Sequence, residues 1–343
     1  MRNLIKKLSD LRAVSGREYQ INGEVKDILM PYCDSVEIDQ LGSVIGLKKS
    51  KKPDAPSIMI EAHLDEIGLM VTAITDDGYL KFTNVGGVDN RILPSLEVVV
   101  HGKRDVYGVI APSDNGDSSK SFKMNELYVD TALSKDEVGE LICVGDSITF
   151  PQSVGELGKH QLSLKTMDDR ASVAAIIDVL KRLDGTELNC NVYAVCAVQE
   201  EVGCRGGKTT SFGINPDMAI AIDVTHGITP DNSDNAIDVG SGTAMSKGPN
   251  IHPKLVERLE ATAKEKGINY NIEIDGGATG TDAWEIQVSG GGVPTALMSI
   301  PLKYMHTSVE TLDVRDIEAT SELISEFIKG LEEDISWLSL WKS

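Results

Sequence analysis

Four stretches of this chain are apolar almost without interruption, rich in β-branched residues, and end in acidic or histidine side chains. They are S-I-M-I-E-A-H-L-D (57–65), N-V-Y-A-V-C-A-V-Q-E-E (191–201), M-A-I-A-I-D (218–223), and the run 293–300, which continues through P-L-K-Y-M-H to His306. Such runs, lacking polar alternation, suit strands buried on both faces, as in a parallel sheet. Between them apolar residues recur at helical spacing: Leu4, Ile5, Leu8 and Leu11; Ile21, Val25, Ile28 and Leu29; Val173, Ile176, Ile177, Leu180 and Leu183. Pro253–Lys266, closed by Gly267, and 314–338, with Ile317, Ile324, Phe327, Leu331 and Ile335 inward, complete the helices. The alternation predicts an α/β fold: a mixed, mainly parallel sheet flanked by helices.

Local signals set expected boundaries. S-G-R-E at 15–18 reads as a capping box, with Ser15 as N-cap and Glu18 at N3 of the second helix, which stops near Pro31. Residues 36–47 read as a strand or hairpin and the lysine- and proline-rich 48–56 as a solvated loop. Asp169 is placed to cap the helix 171–183, and T-D-A-W-E-I (281–286) opens a short one. G-C-R-G-G-K (203–208) and 241–250 read as loops. From 68 to about 151 the texture changes to short β-rich runs broken by turns such as D-D-G at 76–78, with no long helical period. This small all-β module interrupts the α/β pattern and is expected to be an insertion. The predicted division is 1–66 with 156–343 as one discontinuous α/β domain, and 67–155 as the insert. At 343 residues the chain exceeds the size, about 250–300 residues, at which one core stops growing, so two domains are expected.

Composition narrows the partners. A formal net charge of −20 argues against nucleic acid and anionic membrane, whose phosphates it would repel. No run approaches the roughly 18 apolar residues of a membrane span. The first helix lacks an uninterrupted apolar core, so it reads as part of the mature fold and the expected compartment is the cytoplasm. Cys33, Cys143, Cys190, Cys196 and Cys204 show no C-x-x-C spacing and are expected to be small core residues of a reduced protein.

The strand ends carry the chemistry. His63 and Asp65, Glu200 and Glu201, Asp223, and His306 all follow predicted strands, and Asp168 and Asp169 open a helix. Parallel strands bring their carboxyl ends together, so these residues converge on one cleft. Two histidines and several carboxylates suit zinc, cobalt or manganese. That many donors exceed what one open catalytic zinc uses and fit two metals sharing a carboxylate. Of the adjacent glutamates, one can bind metal while the other moves a proton. Neighbouring side chains of a regular strand point to opposite faces, so the strand must end at Gln199 or Glu200 for both to reach the metals. His101, His160, His226 and His252 lack this strand-end pattern.

At these motifs the chain resembles the dinuclear metallo-aminopeptidases that assemble into tetrahedral particles, a family whose members are called glutamyl or deblocking aminopeptidases and, by an older label, CelM-like endoglucanases. The likeness runs through A-H-L-D-E-I-G (62–68), V-G-G-V-D (85–89), V-G-D (144–146), D-D-R (168–170), Q-E-E-V-G (199–203), A-I-D-V (221–224), G-T-D-A (280–283) and Y-M-H-T-S-V-E (304–310). The resemblance implies a β-barrel dimerisation domain inserted in the catalytic domain. It implies one metal held by His63 and Asp223, a second by Glu201 and His306, and Asp168 bridging. It further implies that Glu200 is the general base acting on a bridging metal-bound water and that Asp65 orients His63. The implied cofactors are two divalent ions per subunit, Zn2+ or Co2+ with Mn2+ as a further option, and the implied partners are short peptides and copies of the chain, as a dimer and then a dodecamer. Three rivals remain: a glycosidase built on paired carboxylates, a carboxypeptidase or amidase on the same dinuclear plan, and a non-catalytic protein with a relic site.

Overall fold

The computed structural model describes residues 1–113, 122–152, 155–232 and 236–341. Its centre is four parallel strands in the order Asn191–Ala197, Ser57–His63, Met218–His226, Thr295–Lys303. These are the four apolar runs of the sequence, and nearly every side chain in them is buried. The chain steps from Ser57–His63 to one neighbour and then crosses back to the other. Ligands of open α/β sheets bind at such a reversal, beyond the carboxyl ends of the strands. Antiparallel strands extend the sheet on both sides: Val44–Lys48 and Ser35–Ile38 beyond Asn191–Ala197, and Glu310–Asp313, Gln161–Leu164 and Gly155–Leu157 beyond Thr295–Lys303. Thr243–Lys247 and Tyr270–Ile274 form a side branch on Thr295–Lys303.

The helix Met167–Arg182 packs on this sheet, with Val314–Lys329 and Arg2–Asp10 against it, while Arg205–Ile214 pairs with the short Ala283–Ile286. Met167–Arg182 is buried from Met167 to Ile177, where amphipathic spacing predicts one inward face; between a sheet and two helices it has no solvent face over that length.

The strands Gly68–Ile74, Leu80–Val85, Leu127–Asp130, Asp105–Pro112, Glu97–His101 and Ser147–Thr149 close into an antiparallel barrel. Its own core, including Leu69, Leu80, Val98, Ile110 and Val129, is separate from that of the α/β sheet. It also holds a helix, Lys135–Leu141, capped by Ser134 with Glu137, that the β-rich texture of the insert does not predict. Of the expected insert 67–155, residues 114–121 and 153–154 lie outside the described ones.

Several local expectations are corrected. Ser15 caps nothing; Glu18–Gln20 is one 3-10 turn, and the helix runs Asn22–Leu29. The glycine-rich 203–208 leads into a helix, Arg205–Ile214, and 241–250 holds the strand Thr243–Lys247. The last helix ends at Lys329, before Gly330, and a separate 3-10 turn covers Ser336–Leu338.

Candidate metal centre

The strand Asn191–Ala197 stops two residues before Gln199, whose φ of +59° turns the chain out of the sheet. With the strand geometry broken, Glu200 and Glu201 reach the same cleft. Asp65 holds that turn. Its Oδ1 accepts the Glu200 N–H at 3.0 Å and its Oδ2 the Glu201 N–H at 3.1 Å, while Ser15 Oγ donates to Oδ2 at 2.5 Å. Glu18 Oε1 accepts the Gln199 N–H at 2.9 Å. The supposed capping-box pair thus props up this turn, because tertiary donors outcompete local ones.

Asp168 faces both imidazoles. His63 Nε2 lies 3.1 Å from its Oδ1, and His306 Nε2 lies 3.4 Å from its Oδ2. Glu201 Oε2 is 3.5 Å from His306 Nε2, and Glu200 Oε2 is 3.9 Å from His63 Nε2. On the far side of the rings, His306 Nδ1 hydrogen-bonds to the Gly87 carbonyl at 3.0 Å, whereas His63 Nδ1 faces Asp65 Oδ1 at 3.4 Å without a hydrogen bond among the described residues. Gly87 belongs to V-G-G-V-D just beyond the barrel strand Leu80–Val85, so the barrel side of the molecule aims His306. A Cβ on Gly87 would sit 2.7 Å from His306 Nδ1.

Some residues of the site carry no role in the sequence-based expectations. Asp169, expected as a helix cap, is buried; its Oδ2 accepts the His63 N–H at 3.2 Å and its Oδ1 has no partner among the described residues. The peptide between Asp168 and Asp169 is cis. Glu310, four residues past His306, is buried and accepts the backbone N–H groups of His306 at 2.9 Å and Asp168 at 3.1 Å. Glu61 and Asp282 lie buried together near His63, and neither Asp282 oxygen has a hydrogen-bond partner among the described residues. A glutamate inside an otherwise apolar strand, as in S-I-M-I-E-A-H, is the signal that flags Glu61. Of the four histidines without the strand-end pattern, His226 alone lines the cleft among the described residues.

Buried carboxylates at this density repel one another. Burial first, with Asp282, Asp65 and Asp168 adding to it against the pull of His63, pushes Glu200 up to about 7. Burial likewise raises Glu201 and Asp223 well above the carboxylate range. Asp168 goes the other way: burial opposes its charge, but the hydrogen bonds from His306 and His63 outweigh it. Cys204 also lines the cleft rather than the core, its Sγ donating to Glu200 Oε1 at 3.2 Å, and Cys143 is exposed; these two depart from the expected core packing of cysteines. Burial, with Glu200 and Asp282 adding to it, pushes the Cys204 thiol up.

Uncompensated buried charge of this kind calls for cations. The donors fit hard or borderline divalent ions. His63 with Asp168 and Glu201, and His63 with Asp169 and Asp223, place ligand atoms within 4.8 Å of one another. Asp169 therefore joins the donor set beside the residues named from sequence. The cluster opens into a cleft of about 610 Å³, lined also by Thr225, Glu273, Thr281 and Met305.

The model of the family described as M42 glutamyl aminopeptidase matches residues 42–323. The chain is 36% identical over 340 residues to the lysyl aminopeptidase of Pyrococcus furiosus, covering 96% of this chain and 97% of that one. Aminopeptidase APDkam598 of the archaeon Desulfurococcus kamchatkensis superposes with a TM-score of 0.92 at 37% identity, over 98% of this chain and 96% of that one. The TET1 peptidase of Pyrococcus horikoshii, which can assemble into a tetrahedron or a large octahedral shell, superposes at 0.85 with 31% identity, over 96% and 99%.

Proposed function

The chain belongs to the M42 glutamyl aminopeptidase family, and on that premise we propose that it removes N-terminal residues from short peptides in a reaction that needs two divalent cations and uses Glu200 as general base. His63 and Asp223 would hold one cation, Glu201 and His306 the other, and Asp168 would bridge them. The observation that carries this reading is Asp168 itself, which turns one carboxylate oxygen toward each imidazole, at 3.1 and 3.4 Å. Zn2+ or Co2+ suits the mixed imidazole and carboxylate donors best, with Mn2+ also accommodated.

Bound there, the cations would lower the pKa of a water and polarise the scissile carbonyl. The chain's own residues do the rest. Glu200 Oε2, at the mouth of the cluster, takes the proton of the attacking water and passes it to the departing amine. Asp65 fixes Glu200 through its backbone N–H and lies behind His63, so one carboxylate orients both base and ligand. Glu310 ties the backbones of Asp168 and His306 together, and Gly87 leaves His306 with only Nε2 free.

We assign catalysis to 1–66 with 156–343, and self-association to the insert 67–155. On the outer face of the barrel Tyr107 and Val109 stand exposed while Val106 and Ile110 point inward, an apolar surface suited to a second copy. A dimer assembling to a dodecamer would confine hydrolysis to short or unfolded peptides in the cytoplasm.

A pair of otherwise identical peptides, one with a free and one with an acetylated N-terminus, tests the reaction class. Cleavage of the free peptide alone, one residue at a time from the N-terminus, is expected. Cleavage of the acetylated one points to an endo- or carboxypeptidase and overturns the assignment.

A further inference from the structure

The cleft has lining residues that the chemistry above leaves idle. Thr225 follows Asp223 by two positions on the regular strand Met218–His226, so both side chains face the same way, about 6–7 Å apart along the strand. Thr225 Oγ1 donates to Glu273 Oε1, and Ser246 Oγ to Glu273 Oε2 at 3.5 Å, which fixes Glu273 at that depth of the cleft. Asp275, two residues on, lines the same cleft and has neither an ion pair nor a hydrogen-bond partner for its carboxylate among the described residues.

Charge decides what this wall suits. Of the carboxylates that line the cleft, Asp168, Glu201 and Asp223 are assigned to the cations and Glu200 to proton transfer. Glu273 and Asp275 are left over, and no lysine or arginine lines the cleft among the described residues. Burial first, and then Asp275, raises Glu273 above the usual carboxylate range; His226 and the two hydroxyl donors only partly offset this. An incoming cation relieves that repulsion, and an incoming carboxylate worsens it. Val224, Leu297 and Met305 supply apolar lining for the methylenes of a long side chain whose charged end travels further.

We propose that Glu273 and Asp275 form a cation-selecting wall of the substrate cleft, so that the protein prefers peptides beginning with lysine or arginine. This rests on the aminopeptidase reading, with the substrate's α-amine anchored at the metal cluster. The glycine-rich turn 276–280 that follows the wall leads directly into Thr281 and Asp282, so the wall and the floor of the site are one continuous segment.

Lysine and norleucine p-nitroanilides, which share a four-carbon side chain and differ by the terminal ammonium, provide the test on the metal-loaded enzyme, with glutamate p-nitroanilide as the opposite charge. The expected kcat/KM order is lysine, norleucine, glutamate, with lysine ahead of norleucine by about tenfold or more, the scale of one partly desolvated ion pair. The double variant E273Q/D275N should collapse the lysine-to-norleucine ratio toward one. Independently of turnover, free L-lysine should raise the melting temperature of the wild type more than L-norleucine does, and the double variant should lose that difference. A ratio near one in the wild type, or a ratio that the double variant leaves intact, overturns the wall while sparing the aminopeptidase. Failure to cleave any of the three anilides brings down both.

Discussion

A histidine ligates a metal through whichever ring nitrogen its other hydrogen bond leaves free, and the Gly87 carbonyl makes that choice for His306. G87A tests it, because the new Cβ would stand 2.7 Å from Nδ1 and must displace the ring. Metal affinity measured by calorimetry should fall about 10- to 100-fold; an unchanged affinity would show that His306 is not held this way. Glu200 makes the opposite prediction, a change in rate without a change in metal. E200Q should retain the metal content of the wild type while kcat drops by about 10²–10⁴, the usual worth of a positioned general base. If the variant turned over at the wild-type rate, the base would have to lie elsewhere.

At the level of elements, the site depends on how the loops at the strand ends are pinned. Lys165, at the entry to the helix Met167–Arg182, pairs with Glu66 at 2.6 Å, both side chains being buried, and Glu66 also accepts the Ala13 N–H at 2.9 Å. K165M strands the Glu66 charge and should cost about 3–5 kcal/mol in chemical denaturation; a loss below about 1 kcal/mol would mean that Glu66 takes up a proton or reaches water instead. The same elements explain what is readable from sequence. The four buried strands and the residues at their ends are legible, since an uninterrupted apolar run that closes on adjacent glutamates makes little physical sense away from a ligand site. The barrel's β-texture is equally plain. Ser15 and Glu18 are not: S-x-x-E satisfies a local rule, yet both side chains are drawn to groups 50 and 181 positions away. The helix Arg205–Ile214 is hidden by its glycines, which weaken a helix. Gly206 is there because a Cβ would come within 2.4 Å of the Val198 backbone, a tertiary demand with no local signature. Asp169 is only half legible: a single acidic residue suffices as the cap of a helix, so the doubled aspartate signals further work without assigning it to Asp169.

For the whole molecule, the candidate metal cluster lies between the sheet and the loop that leaves the barrel, so occupancy should stabilise both parts together. Among the described residues no helix is long and apolar enough to cross a membrane. Ions bound only to the folded state stabilise it by about 4 kcal/mol at a thousandfold excess over Kd. Chelation should therefore lower the melting temperature by about 8 °C, since each kcal/mol is worth roughly 2 °C in a large domain. A melting temperature indifferent to EDTA would remove the case for tightly held ions. Light scattering addresses assembly: a mass of several chains is expected, reduced by Y107D/V109D on the barrel face. A mass that stays at one chain, whatever the metal, would contradict self-association through the insert.

On the proposed reading, hydrolysis at a free N-terminus depends on cations held by His63, Asp168, Glu201, Asp223 and His306. Turnover of an aminoacyl p-nitroanilide, followed through complete chelation and then stepwise return of Zn2+, Co2+ or Mn2+, tests it most directly. The expected result is loss of activity with the metal and recovery that saturates at two ions per chain. Undiminished hydrolysis by the fully metal-free protein would contradict it.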